Sequence, residues 1–312
     1  MMFEVLLQPW PAFLGLVVAL FAIDLAFGSR GTDLGAAVLW SVIWIGAGLS
    51  FGLWVWATQG GDVATAYYAA YILEKSLSVD NIFVFVLIFA ELRIPANQQH
   101  RVLLLGIVGA LVMRAVIIGL GVYLIERFYW VIYPFAALLL IAAVRLLFGE
   151  NAERRIVKES CAACSTWVAW FIPVTPVGQG QKLVLRRAGK LVATPMLVAL
   201  ILIETTDLIF ALDSIPAALA ITRDPYIVYT SNIFAMLGLR ALYFVLADVV
   251  PRFHYLRPGL AAIVGFVACK MLLTGTIEIP VGVSLMVIVS ILLVALAASW
   301  AFPKQQRVPS QP

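Results

Sequence analysis

The chain has 312 residues, of which 63% are hydrophobic and 12% charged, with a mean hydropathy of +1.02. Soluble domains average about 45–50% apolar and about 25% charged residues, so soluble globular and disordered classes are both excluded. The net charge of +4 raises nucleic-acid binding, but the placement of the bases assigns it to one membrane face and no nucleic-acid partner is expected.

About 20 apolar residues in a helix cross a bilayer core. Nine such runs stand near 10–27, 35–57, 65–90, 102–124, 128–148, 192–221, 226–249, 258–275 and 280–302. Glu4 is the one charge before the first run, and no small-residue cleavage site follows, so a retained helix is expected rather than a signal peptide. The first two spans (10–57) are peripheral. The segment 149–191 reads as a loop with seven bases (Arg154, Arg155, Lys158, Lys182, Arg186, Arg187, Lys190) against three acids. The positive-inside rule places it in the cytoplasm. With nine spans the N-terminus is then outside and the C-terminus cytoplasmic. Fourteen bases fall on the inner side, including Arg30, Arg93, Arg101, Arg252, Arg257, Lys304 and Arg307, against Arg127 and Arg223 outside. His100 and His254 fall in predicted loops. Cys161-Ala-Ala-Cys164 lacks a second ligand pair and is read as neither a metal nor a redox site.

An internal repeat links the spans. Glu74, Asp80, Asn81 and Ile82 match Asp207, Asp213, Ser214 and Ile215 at an offset of 133. Arg114 matches Arg240 at 126, and Arg127 and Arg145 match Arg252 and Lys270 at 125. Spans 3–5 (65–148) thus recur as spans 6–8 (192–275), followed by span 9 (280–302). Three spans is an odd number, so the second copy enters from the opposite side. Such inverted repeats build many secondary transporters, with substrate sites near the midplane between the copies. The expected fold class is an all-α integral membrane protein of nine transmembrane helices with this repeat.

Charges inside these spans call for an explanation, because each costs about 2.5–3.5 kcal/mol at a helix centre. Span 3 holds Glu74, Lys75 and Asp80; span 6 holds Glu204, Asp207 and Asp213; spans 4 and 7 hold Arg114 and Arg240. Lys75, Arg114 and Arg240 can balance the acids, so a purely structural ion-pair network is one reading. The acids, however, concentrate in two symmetry-related helices. A six-residue step turns a helix by about 600°, leaving the acids of each pair about 120° apart. Glu74 and Asp80 from one copy and Asp207 and Asp213 from the other can surround one cavity, with Asn81, Ser214 and carbonyls freed by Pro216. The set contains no His or Cys, which suits Mg2+, Ca2+ or Mn2+ over Zn2+ or copper. Protonation of the carboxylates would compete with the metal, a route to proton-coupled exchange. Glu204, three residues before Asp207, is either a further ligand or a partner of a buried Arg. Asp24 and Asp248 lie near predicted cytoplasmic span ends, and Asp24 can line an inner vestibule.

Residues Glu74-Lys-Ser-Leu-Ser-Val-Asp-Asn-Ile-Phe-Val resemble the first signature of the TerC family of membrane proteins. Glu204-Thr-Thr-Asp-Leu-Ile-Phe-Ala-Leu-Asp-Ser-Ile-Pro-Ala resembles the second signature, and Thr230-Ser-Asn-Ile-Phe-Ala-Met-Leu-Gly-Leu-Arg-Ala-Leu-Tyr-Phe resembles the stretch after it. The resemblance covers roughly residues 12–300 and looks closest to the Alx branch. It implies a bacterial inner-membrane exporter of Mn2+, or a member of a tellurium-resistance system. It also implies that Glu74, Asp80, Glu204, Asp207 and Asp213 handle the metal, with Asn81, Ser214 and Asn232 in support. Among hard cations the resemblance selects Mn2+; the residues alone leave Ca2+ open. The expected partners are the transported cation and membrane lipid, with no permanently bound cofactor. No protease or hydrolase motif appears, so an enzyme is not expected; a non-transporting membrane scaffold for stress resistance is the competing reading.

Overall fold

In the computed structural model, the described residues are 9–27, 34–148, 150–175, 182–187, 190–247, 255–273 and 279–301. Glu4, Arg30, Asp248, Arg252, His254, Lys304 and Arg307 lie outside them.

Eleven α-helices account for most of the described chain: α1 (Pro9–Phe27), α2 (Leu34–Gln59), α3 (Gly61–Glu91), α4 (Ala96–Arg127), α5 (Ile132–Phe148), α6 (Glu150–Phe171), α7 (Pro195–Leu219), α8 (Pro225–Met236), α9 (Leu239–Leu246), α10 (Leu256–Leu272) and α11 (Val281–Ala301). Helices α2, α4, α7 and α11 are each long and apolar enough to cross a membrane, and α8 with α9, bent by 43°, makes a fifth such unit. Helix α3 has the length, at 31 residues, but carries Glu74, Lys75 and Asp80. Helices α1 and α5 are apolar but shorter.

The segment 149–191 is not the plain loop expected. It holds the 22-residue α6 and an antiparallel hairpin of β1 (Val184–Arg187) and β2 (Lys190–Ala193). Helix α6 escapes an apolar-run search because it is amphipathic: Val157, Cys161 and Val168 are buried while Arg155 and Trp170 face out. Buried positions at i, i+4 and i+11 mark one helical face.

Local chemistry sets the ends that matter for the site. Helix α7 starts at Pro195 behind an extended Thr194, and α8 at Pro225 behind Asp224, whose side chain accepts from the Tyr226 amide at 2.9 Å. Pro at the first helical position removes an amide that would otherwise lack a partner. Pro216 sits inside α7 and cannot donate to the carbonyl of Leu212, beside Asp213.

Helix α8 stops at Gly238, whose φ is +79°. A Cβ there would run into the Cβ of Trp44 on α2. Left-handed backbone costs a non-glycine residue about 1–2 kcal/mol, and a neighbouring Cβ cannot swing aside. Gly238→Ala is therefore expected to lower stability by at least about 1–2 kcal/mol, read as a lower thermal midpoint in detergent; an unchanged midpoint would show that the break tolerates a side chain.

The principal packings are α3 on α8, α4 on α7, and α5 on α10. The apolar core falls into two clusters. On α3 one reaches Leu73 and the other begins at Ile82; on α4 they stop at Ile107 and Ile118; on α7 at Ile203 and Ala211. A polar belt containing Glu74, Asp80, Arg114 and Asp207 lies between them. Two apolar slabs and a polar layer leave charged side chains one another, or a cavity, as partners.

Candidate metal centre and its ion-pair belt

Arg114, near the middle of α4 and 1% exposed, is the hub of the belt. Its guanidinium grips Asp207 through both carboxylate oxygens, Nε to Oδ2 at 3.2 Å and Nη2 to Oδ1 at 3.0 Å. Nη1 donates to Glu74 Oε1. The same nitrogen lies 3.3 Å from Ser214 Oγ and 3.2 Å from Asn232 Oδ1. The repeat-matched acids Glu74 and Asp207 thus meet on one cation. A forked pair of this kind is among the strongest ionic contacts a side chain makes.

The other matched pair, Asp80 and Asp213, borders a cavity of about 420 Å³ that also touches Glu74, Asn81, Arg145 and Ser214. Thr205 and Thr206 add hydroxyls to its wall, and Ile156, Val157 and Ser160 of α6 lie over it. Glu74 Oε2 is buried and has no hydrogen-bond partner among the described residues; neither has Asn232 Nδ2. A buried carboxylate oxygen without a donor is costly, and at the edge of a cavity it is a vacant acceptor.

The arrangement departs from the single cage expected of Glu74, Asp80, Asp207 and Asp213. Among the described residues, no three Asp, Glu, His or Cys side chains converge as a metal-ligand set. The reason is electrostatic: the buried guanidinium already engages two of the four carboxylates. Asp80 has its own counter-charge, Arg257 of α10, with Nε 3.4 Å from Oδ1 and the guanidinium 4.3 Å from the Phe83 ring centre. Glu204 lies over Gly109 of α4, where a Cβ would strike its carboxylate; it does not border the cavity.

Two expected charge-balancing residues act elsewhere. Lys75 donates to the carbonyls of Ala235, at 2.9 Å, and Leu237, at 3.4 Å. It satisfies the backbone freed by the break at Gly238. Arg240 pairs with Asp24, at 3.0 Å to the carboxylate and 2.7 Å to the carbonyl. Asp24 is therefore an anchor for α1 and not a vestibule residue. Arg257, Thr205, Thr206 and the α6 cover carry no signal in the sequence beyond residue type; only the packing of α10 and α6 brings them in.

On α6, burial pushes the Cys161 thiol up to about 11, with the nearby Glu91 and Cys164 adding to the rise, and burial also raises Cys164. A thiol held protonated is a poor nucleophile and a poor metal ligand.

Residues 59–307 match the family described as integral membrane protein TerC. An uncharacterized membrane protein of Myxococcus xanthus is 44% identical over 93% of this chain and 91% of its own. Proteins of Photorhabdus laumondii and Escherichia coli K12, each named as a candidate membrane-bound redox modulator, Alx, are 40% identical. They cover 92% and 91% of this chain and the same shares of their own. No solved structure matches.

Proposed function

The chain belongs to the TerC family of integral membrane proteins, and on that premise we propose that it exports a hard divalent cation, Mn2+ foremost, through the carboxylate-bordered cavity. The observation that carries this is the cavity wall itself: Asp80, Asp213 and Glu74 with Asn81 and Ser214, and an unpartnered oxygen on Glu74. The donors are all oxygens, which favours a hard ion.

In this reading Arg114 is the resident counter-ion. It holds Glu74 and Asp207 together and offsets one of their two charges while no cation is bound. A divalent ion drawn in by Asp80 and Asp213 takes up the open oxygen of Glu74 and competes with the guanidinium for the rest of that carboxylate. Release of Arg114 toward Asp207, which it holds by two bonds, leaves Asp207 with its counter-charge through the exchange. The finer choice of Mn2+ over Ca2+ rests on the family resemblance. Proton coupling is tested in proteoliposomes: cation flux that ignores an imposed proton gradient would exclude it.

Nine spans and an inverted repeat complete the proposal, with α8 and α9 as one broken span, the N-terminus outside and the chain in the bacterial inner membrane. The packing supports it. A twofold axis exchanging α3 with α7, α4 with α8 and α5 with α10 turns the α3–α8 contact into the α7–α4 contact and maps α5–α10 onto itself, and these are the three principal packings.

The name of the Alx relatives raises a redox role, for which Cys161 and Cys164 are the candidate pair. The raised thiols on α6 speak against it. The double substitution Cys161→Ser, Cys164→Ser is expected to leave manganese efflux within about twofold of wild type, measured as metal retained by cells; loss of efflux would instead put α6 chemistry into the transport cycle.

A further inference from the structure

Helix α6 is tied to its neighbours at both ends. A single residue separates it from α5, and beyond its C-terminus Val174 bridges to Ala193, two residues before α7 begins. The Thr175 amide donates to the Ala193 carbonyl at 3.0 Å, and the Ala193 amide to the Pro173 carbonyl at 2.8 Å. Helix α7 is long and apolar enough to cross a membrane, and α5 is apolar. A 22-residue helix pinned between the ends of two such elements runs along the membrane face and cannot stand off from it.

The surface of α6 divides into three strips. Val157, Cys161 and Val168 form the buried seam. Ile156, Ala163, Trp167, Trp170 and Phe171 are all exposed and fall on one side of the seam, within an arc of about 100°. Arg154, Arg155, Lys158, Ala162 and Ala169, also exposed, fill a similar arc on the other side. Trp170 is 84% exposed and Phe171 67%. The rings of Trp167 and Trp170 pack on Phe171, with centroids 5.2 and 6.0 Å away, and the three belong to neither core cluster. Water-facing surfaces rarely carry a contiguous apolar patch. Trp gathers where the apolar layer meets the headgroups, because its ring is apolar and its N–H polar. A helix with one apolar, aromatic face and one charged face lies in that plane.

We infer that α6 is an interfacial helix, with its aromatic face sunk among lipid headgroups and upper acyl chains and its basic face in water. The occupant is lipid because a face held between two span ends meets the bilayer first. Glu150, Glu153 and Glu159 balance Arg154, Arg155 and Lys158, and Arg155 pairs with Glu159 at 2.8 Å. The attraction is therefore apolar and calls for no particular headgroup charge. The inference does not depend on cation transport.

The test is spin labelling of the full chain in phosphatidylcholine vesicles. On a Cys161→Ala, Cys164→Ala, Cys269→Ala background, one label is placed by Ala163→Cys on the aromatic side, or by Ala169→Cys on the basic side. Collisions with oxygen, which enters lipid, and with a nickel chelate, which stays in water, read the depth of each label. The Ala163→Cys label is expected about 5–10 Å into the headgroup–acyl boundary, and the Ala169→Cys label in water. Adding phosphatidylglycerol is expected to leave both depths unchanged. If the background lacking cysteines is not monodisperse, the native-cysteine chain is compared with Trp170→Phe in phosphatidylcholine brominated near the top of its acyl chains. The emission lost with Trp170 is expected to be the part that bromine quenches. An Ala163→Cys label in water, or one screened from both reagents as a second copy of the chain would screen it, would overturn the assignment. So would an Ala169→Cys label in lipid, immersion that appears only with phosphatidylglycerol, or Trp170 emission that bromine leaves unquenched.

Discussion

Cells producing the Asp213→Asn protein are expected to accumulate manganese to the level of cells lacking the protein, while the wild type keeps it low. Asp213 lies beside Ser214, a neighbour of Arg114, and borders the same cavity as Asp80. Asparagine keeps the size and one acceptor but removes the charge that attracts a divalent ion. Even outer-shell partners of metal ligands cost about 10–100-fold in affinity or activity when removed, so a cavity carboxylate is expected to cost at least about tenfold in efflux. The measurement is elemental analysis of washed cells under manganese load, normalised to membrane-inserted protein. Asp80→Asn is the companion, and its outcome separates two roles. If Asp80 serves the ion, both variants retain manganese alike. If it serves only Arg257, its loss lowers stability and spares efflux. A membrane scaffold, by contrast, tolerates both changes. Equal intracellular manganese in wild type and Asp213→Asn would end the transport proposal.

The apolar runs mark α2, α4, α7 and α11 directly, and α3 is visible despite its charges because apolar residues flank them on both sides. The need to compensate Glu74 and Asp207 is legible as well, since no buried carboxylate stands alone cheaply. Which base meets which acid is not legible. Helix rotation and depth decide it, so Arg114 takes both acids while Arg240, which matches it in the sequence alignment of the two halves, is turned toward Asp24. Lys75 is the clearest case. As a residue type it predicts an ion pair; its use as a donor to Ala235 and Leu237 depends on a helix break about 160 residues away, and Gly238 is the one local sign of that break. Helix α6 hides for a different reason: its buried stripe is periodic rather than continuous, and the bases around it read as loop.

Arg114→Met is expected to be the most destabilising single change in the belt, because it strands two buried carboxylates at once. Removing one partner of a buried ionic pair costs about 3–5 kcal/mol, which corresponds to a fall in thermal midpoint on the order of 10 °C for a chain of this size. The substitution keeps the unbranched aliphatic stem, so little of the loss comes from packing. Arg114→Lys is expected to fall between the two, since an ammonium cannot reproduce the two-oxygen grip on Asp207. The decisive comparison is the triple variant Arg114→Met, Glu74→Gln, Asp207→Asn. Neutralising the acids removes the stranded charges, and replacing a whole buried ionic group by neutral side chains is often close to neutral in stability. The triple variant should therefore regain most of the lost midpoint in detergent and still fail to export manganese. Recovery of both stability and efflux would make the belt purely structural. A wild-type midpoint for Arg114→Met alone would mean that Glu74 and Asp207 sit comfortably without the guanidinium, and that Arg114 is not the counter-ion the exchange with a metal requires.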